Sequence, residues 1–288
     1  MTKSSENVRD DRKRQMFPNE SDYNASVQPP DRNREPGSFA YAMRALGRED
    51  LPAEISFEGT TYRKTRDVKH DFFAATAFYA NERGKNVVLK VGRTTDFAGI
   101  SLAWLGAWLC RREVRFYRRL SHLPNVPPVL GLWRNAGFIH GYVDGAPLSK
   151  TRPIPDGFFG QLQSLLKELH TLGIAYVDTN KPENILQGDD GRPHLIDFQI
   201  SFDLDDFGDN LLTRAFLRCL QREDLYHILK HKRRMRPDEL TPDEQAIASR
   251  KSWFILLHRF VTRPYFLIRR RAFRKLRESG QLLPEGSK

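Results

Sequence analysis

A chain of 288 residues, 39% hydrophobic and 29% charged, is long enough to bury the core of one two-lobed domain or two small domains, and is not a fully disordered polymer. Its two cysteines, Cys110 and Cys219, lie far apart, which excludes a disulfide scaffold or a cysteine metal cluster; both read as small buried hydrophobes in a reducing compartment. The formal net charge of +11 favours polyanionic partners (nucleotides, nucleic acid or anionic lipid) without choosing among them.

Residues 1–50 are rich in Ser, Asn, Asp, Arg and Pro and poor in aliphatics. They are expected to form a flexible arm, with Arg44–Glu49 as a short docking helix. The polar N-terminus lacks the apolar stretch of a signal peptide. The pattern changes at Ile55. Thr60–Val68 mixes β-branched and charged residues like an exposed strand, Phe72–Tyr79 is apolar and aromatic, and Asn86–Val91 is a β-branched strand after the turn Asn81–Lys85. These three predict an antiparallel sheet. The uncharged run from Phe97 to Cys110, which contains Trp104 and Trp108, is too short to span a membrane and reads as a buried or interfacial helix. Helical spacing extends over Ile100–Leu120, followed by two strands at Val129–Trp133 and Ala136–Val143.

After Gly145 the character is helical. Leu162, Leu165, Leu166 and Leu169 mark one helix face, and Gly173 is placed to end that helix at its C′ position. Short strands at Ile185–Leu186 and His194–Ile196 flank the turn Gly188–Gly191, and Leu211–Leu283 reads as largely helical and basic. The predicted organisation is an arm over 1–50, a mostly β lobe over 51–143 and a mostly helical lobe over 144–288.

Two segments carry chemistry. Asp178-Thr179-Asn180-Lys181-Pro182-Glu183-Asn184 follows a helix and precedes a strand, and Asp197-Phe198-Gln199 follows the next strand. The hairpin between them returns the chain to its start, so Asn184 and Asp197 can converge. An amide oxygen and a carboxylate suit Mg²⁺, a hard cation. The stretch from Leu169 to Leu186 resembles the catalytic loop of protein kinases, and Leu195-Ile196-Asp197-Phe198-Gln199 resembles their magnesium-binding Asp-Phe-Gly segment.

That resemblance implies an α+β, two-lobed protein-kinase-like fold, with a small antiparallel β lobe carrying one long helix and a mostly helical second lobe. It implies that Asp178 is the catalytic carboxylate, that Lys181 assists the γ-phosphate, and that Asn184 and Asp197 hold metal. Lys90, inside the apolar strand Val87–Val91, matches the family's phosphate-gripping lysine. Glu113 is the one acid between Asp96 and Asp144, and it matches the glutamate that pairs with that lysine. Phe138–Val143 followed by Asp144–Leu148 resembles the hinge between lobes, which makes Gly141, Tyr142 and Val143 the adenine contacts.

The sequence also departs from the family pattern. Tyr176 and Val177 replace His and Arg, and Gln199 replaces Gly. The span from Asp178 to Asn184 is one residue long, so either the loop bulges or Thr179 occupies the catalytic slot; only Asp178 has the needed chemistry. The glycine-rich loop is absent, and Lys69–Ala77 stands in its place, where tight-turn amides, Lys69 or His70 would meet phosphate. The segment after Asp197 is short and acidic, with no Ala-Pro-Glu. Together these move the resemblance toward divergent bacterial-type branches, the RIO-type and lipopolysaccharide-core kinases.

The implied activity is an ATP- and Mg²⁺- (or Mn²⁺-) dependent phosphotransferase. Its acceptor would be a hydroxyl on a protein Ser/Thr or on a membrane glycolipid sugar. The alternative is a pseudokinase, a nucleotide-binding scaffold. The expected location is cytoplasmic. In the basic C-terminal region, Lys230–Arg236 and Arg269–Arg271 are interleaved with Trp253, Phe254, Phe260, Tyr265, Phe266 and Phe273. That pattern reads as a core-packing face or as a basic amphipathic helix touching anionic membrane; nucleic acid is not an expected partner.

Overall fold

The structure is a computed structural model that describes residues 41–249. Its first part is a six-stranded antiparallel sheet of β1 (Glu54–Phe57), β2 (Thr60–His70), β3 (Ala74–Ala80), β4 (Asn86–Gly92), β5 (Val129–Trp133) and β6 (Gly137–Gly141), in the order β1-β2-β3-β4-β6-β5. The three strands expected before the helix are present, and β1 precedes them. Glu58 and Gly59 both take positive φ, the geometry of a two-residue hairpin. Glu-Gly is a weaker hairpin signal than Asn-Gly or Asp-Gly, which is why the sequence did not announce β1.

Helix α1 (Ala103–Arg119) lies between β4 and β5 in the chain. Alternation along the strands divides the sheet. Val87, Leu89, Val91 and Ile139 join Ile55, Tyr62 and Tyr79 in one apolar cluster. On the other face, Phe138 joins Val114 and Tyr117 of α1 and Leu120 at its C-terminal end. Lys90 therefore faces the helix. Gly106 is required where α1 meets the end of the sheet, because a Cβ there would fall 2.0 Å from the Arg93 carbonyl oxygen. The Phe97–Cys110 stretch does not form a buried helix: α1 begins at Ala103, and Trp104 and Trp108 are exposed at 66% and 53%.

The second part is helical. α2 (Phe158–Thr171) buries Leu162, Leu165, Leu166 and Leu169, and ends at Gly173 with φ 75°. β7 (Gly145–Pro147), β9 (Ile185–Gly188) and β10 (Pro193–Leu195) form a small sheet in the order β10-β9-β7; β8 (Ile174–Ala175) pairs with β11 (Phe202–Asp203). α3 (Leu204–Phe207), α4 (Leu211–Met235) and α5 (Pro242–Ser249) follow. Asn210 starts α4 with a capping box: its Oδ1 accepts the Leu212 and Thr213 amides, while its own N–H donates to Thr213 Oγ1. No helix among the described residues is long and apolar enough to cross a membrane.

Residues 41–50 correct the expectation of a flexible arm reaching to 50. Met43 and Ala45 are buried, and the Ala45 amide donates to the Asp71 carbonyl at 2.8 Å. The cause is Arg93, whose side chain is buried without a carboxylate. Its guanidinium donates to the carbonyls of Ala42, Arg44, Phe72, Thr95 and Asp96 and stacks 4.0 Å from the Phe72 ring centroid. A planar fork with five donors can satisfy several turns of backbone at once. The segment around Arg44–Glu49 forms turns instead of a docking helix. Residues 1–40 of the expected arm, and the basic aromatic stretch from Trp253 to Arg277, lie outside the described residues.

Candidate active site

β4 delivers Lys90 beneath α1. Its Nζ lies 2.8 Å from the Glu113 carboxylate and 2.8 Å from Asp197 Oδ1. One ammonium therefore joins the sheet, the helix and the Asp-Phe-Gln segment. Burial alone would push the Lys90 ammonium down, but the Asp197 and Glu113 carboxylates outweigh it and hold the group well above its ordinary value. The two acids are held in opposite senses. Glu113 is pushed up to about 7 by burial, with Lys90 opposing. Burial also works on Asp197, but Lys90, then Lys69 and Lys181, hold it well below the carboxylate range. Asp197 is thus held firmly in its carboxylate form beside Lys90.

The Asp197 backbone has φ 63°, a left-handed conformation that Asp tolerates. Three aromatic residues hold it there. Its amide donates to Tyr117 Oη at 3.0 Å, and Phe198 is buried edge-on against Tyr117 and Tyr176. Tyr176, the residue in place of the family histidine, donates its hydroxyl to the Ile196 carbonyl. It braces the metal-segment candidate directly from the catalytic-loop candidate.

In that loop, Asp178 Oδ2 accepts from Lys181 Nζ at 2.7 Å and from Asn184 Nδ2 at 2.8 Å. Thr179 is fully buried and points the other way, its hydroxyl donating to Asp224 Oδ1 at 3.2 Å. The extra residue is therefore taken up with Asp178 facing Asn184 and Thr179 anchored inside. Burial raises the Asp178 carboxyl above its usual range against the pull of Lys181. The Asn184 carbonyl accepts the Ile196 amide at 3.2 Å, which sets Asn184 beside the Asp197 segment.

Asn184 spends its Nδ2 on Asp178, which leaves its Oδ1, and Lys90 takes one oxygen of Asp197, which leaves the other. Two hard oxygen donors on adjoining segments fit Mg²⁺, which keeps several waters and needs few protein ligands. Among the described residues no group of three or more His, Cys, Asp or Glu side chains forms an alternative metal site.

Other expected residues are placed differently. The Gly141 amide donates to the Pro128 carbonyl at 2.8 Å and its own carbonyl meets His140 Nδ1, so both polar groups are already engaged. Tyr142 packs edge-on against Phe78, and both it and Val143 are half-buried. In the β2–β3 turn the Phe73 and Ala74 amides both donate to Asp71 Oδ1, which removes them as phosphate donors. His70 is turned toward Arg44 and the Leu46 amide, away from a phosphate role. Lys69 remains: it pairs with Asp71 at 2.9 Å and lies within electrostatic reach of Asp197.

Sequence reasoning missed Asp224. Buried on α4, it accepts the Tyr176 and Val177 amides at 2.8 Å each and also contacts Thr179 and His170. Val177 has φ 71°, a strained value for a β-branched residue. An acid inside a basic helix was the available signal. Also missed was a row on α1. Arg112, Arg115 and Arg119 pair with Asp203, Asp205 and Asp206, and Arg112 also donates to the Gln199 and Ser201 carbonyls.

No protein-family profile matches the chain, and no curated protein matches it in sequence. Among solved structures, it is similar to the Rio2 kinase of Chaetomium thermophilum in its ADP/Mg²⁺-phosphoaspartate complex, at 19% identity and TM-score 0.46, over 62% of this chain and 57% of that one. A second Rio2 structure from the same organism gives 20% identity and TM-score 0.45, over 65% and 59%. The BubR1 kinase domain gives 18% and 0.47, over 64% and 65%. The chain thus spans less than two thirds of the length of each. The protein-kinase-like character of the fold is carried by its own topology, in which a lysine strand, a glutamate helix and an Asp-Phe segment meet between an antiparallel sheet and a helical part.

Proposed function

We propose that the protein is an ATP- and Mg²⁺-dependent kinase-type phosphotransferase acting on a hydroxyl group. The observation that carries this is Lys90 shared between Glu113 and Asp197, beside the Asp178–Lys181–Asn184 cluster. Phosphoryl transfer asks a protein mainly for positioning and charge. Lys90, fixed by Glu113, would hold the α/β-phosphates, and Lys181 would neutralise the γ-phosphate. Asp178 would accept the proton of the incoming hydroxyl, its raised pKa bringing it nearer that task. Magnesium bound by Asn184 and Asp197 would supply charge neutralisation of the β/γ-phosphates. Tyr142 and Val143 would read the adenine edge. The motif departures at Tyr176, Val177 and Gln199, with the glycine-free β2–β3 turn, are what support placing it near the divergent RIO-type and lipopolysaccharide-core branches.

The short segment after Asp197 is tied down by Arg112, Arg115 and Arg119, which leaves little platform for an extended peptide. That favours a glycolipid sugar over a protein Ser/Thr as acceptor. The expected location is cytoplasmic, with peripheral contact to anionic membrane.

The experiment is ATP turnover and autophosphorylation with Mg²⁺ or Mn²⁺ for wild type, Asp197→Ala and Asp178→Asn. Turnover in wild type, lost in both variants, is the expected result. The second reading, a nucleotide-binding pseudokinase, is favoured by the β2–β3 turn amides being consumed by Asp71. Wild type that binds ATP without turnover would select it.

A further inference from the structure

Away from this cleft, α2 and α4 face each other across a groove of about 600 Å³. On α2 the lining includes Ser164, Lys167 and His170; on α4 it includes Arg218, Gln221 and Arg222. These positions recur at helical spacing, so an exposed polar edge of each helix borders the groove, which Leu166 and Leu225 also line. Two helices that pack for stability alone usually meet through apolar residues. Here the interface opens into a basic trough of a size that suits a small ligand.

No carboxylate among the lining residues balances the charge of this groove. Arg112, Arg115, Arg119, Arg214 and Arg236 each reach a carboxylate. Lys167, Arg218 and Arg222 have no ion-pair partner among the described residues, and no Asp or Glu lines the groove. Glu244, at the neighbouring end of α5, is already engaged by Lys232, Gln163 and the Thr241 amide. Three unpaired cations converging on one concavity repel one another, and an anion that bridges them relieves that repulsion. Two of the three are arginines, whose forks match phosphate oxygens.

The groove also touches the scaffold of the catalytic loop. His170 Nε2 lies 3.3 Å from Asp224 Oδ2, the carboxylate that holds the Tyr176 and Val177 amides. Gln221 Nε2 donates to the His170 carbonyl at 3.1 Å and to the Ile174 carbonyl at 3.4 Å, just before that loop.

We propose that this groove binds a phosphate-bearing small molecule through Lys167, Arg218 and Arg222, and that binding tightens the Tyr176–Val177 backbone through His170, Gln221 and Asp224. The binding half stands independently of the kinase reading; only its meaning for turnover rests on that reading.

The test uses the full chain and inorganic pyrophosphate, titrated by calorimetry without divalent metal. Because pyrophosphate also suits a nucleotide cleft, it is run in a Lys90→Met background with and without Lys167→Gln, Arg218→Gln and Arg222→Gln. The expected result is a site that persists in Lys90→Met and weakens at least tenfold when the three groove cations are removed. The three residues are surface-exposed, and unchanged thermal melting checks that the fold is intact. Phosphatidic acid vesicles form a second arm: groove-dependent flotation assigns the phosphate to a lipid headgroup, and its absence alongside groove-dependent pyrophosphate binding assigns it to a soluble molecule. Hydrogen exchange reads the coupling, with slower exchange at Tyr176 and Val177 expected on adding pyrophosphate. No binding in Lys90→Met, or binding indifferent to the three cations, overturns the site. Unchanged exchange at a saturated groove overturns the coupling.

Discussion

Asp224 accepts the main-chain amide of Val177 at 2.8 Å, and so holds a β-branched residue at φ 71°. Such a conformation costs about 1–3 kcal/mol and persists only where its surroundings over-determine it. Asp224→Ala leaves the Tyr176 and Val177 amides without their buried acceptor and releases the strained loop. A loss of about 3–5 kcal/mol in urea denaturation is expected. Asp224→Asn, which keeps one acceptor oxygen, should lose less.

Lys90→Met removes the cation shared by two carboxylates. Nucleotide-dependent turnover should fall by about 10²-fold or more, the usual effect of deleting a preorganised charge. Stability should respond to pH in a distinctive way. Glu113 and Asp197 become uncompensated buried acids whose pKa values rise, so the variant is weakest at alkaline pH and recovers as pH falls and they take up protons. Melting temperatures at pH 8 and pH 5 check this; a deficit equal at both pH values counts against it.

His140 is buried beside Tyr117, their rings stacked at 5.4 Å. Burial lowers its pKa from 6.5 to about 4, with Gly141 opposing and Lys90 adding to the fall. The fold therefore favours neutral His140. Its contribution is fully present above the unfolded value near 6.5 and is lost as pH drops toward 4. That window should remove up to about 3 kcal/mol of stability in wild type. The pH dependence over the window should flatten in His140→Phe.

Gly106 sets the distance between α1 and the end of the sheet. In Gly106→Ala the new methyl would press on Arg93 backbone, which cannot rotate away. A loss of about 2 kcal/mol or more is expected despite alanine's better helix propensity, read as a lowered denaturation midpoint. Because α1 also carries Glu113, nucleotide affinity should fall with it.

The sheet and helices were legible where periodicity was long, as in β4, α1 and α2, and so were the residues whose chemistry is out of place, such as Lys90 in an apolar strand. β1 and the β8–β11 pair escaped because two to four residues carry no periodicity of their own and form only against a partner. The packing of residues 41–50 escaped because it depends on Arg93, whose carbonyl partners are scattered from Ala42 to Asp96. The commitment of the β2–β3 turn amides to Asp71, and of the Gly141 amide to Pro128, is a matter of geometry that composition does not encode. Asp224 acts on residues 45–48 positions earlier, beyond any local motif.

The arginine row of α1 and the carboxylates of Asp203, Asp205 and Asp206 bear on how the site comes to be assembled. Negative charge facing that helix is supplied by ordinary side chains and needs no added phosphate. The helix that carries Glu113 is thereby anchored by the unmodified chain itself, through carboxylates that lie directly after the Asp197 segment.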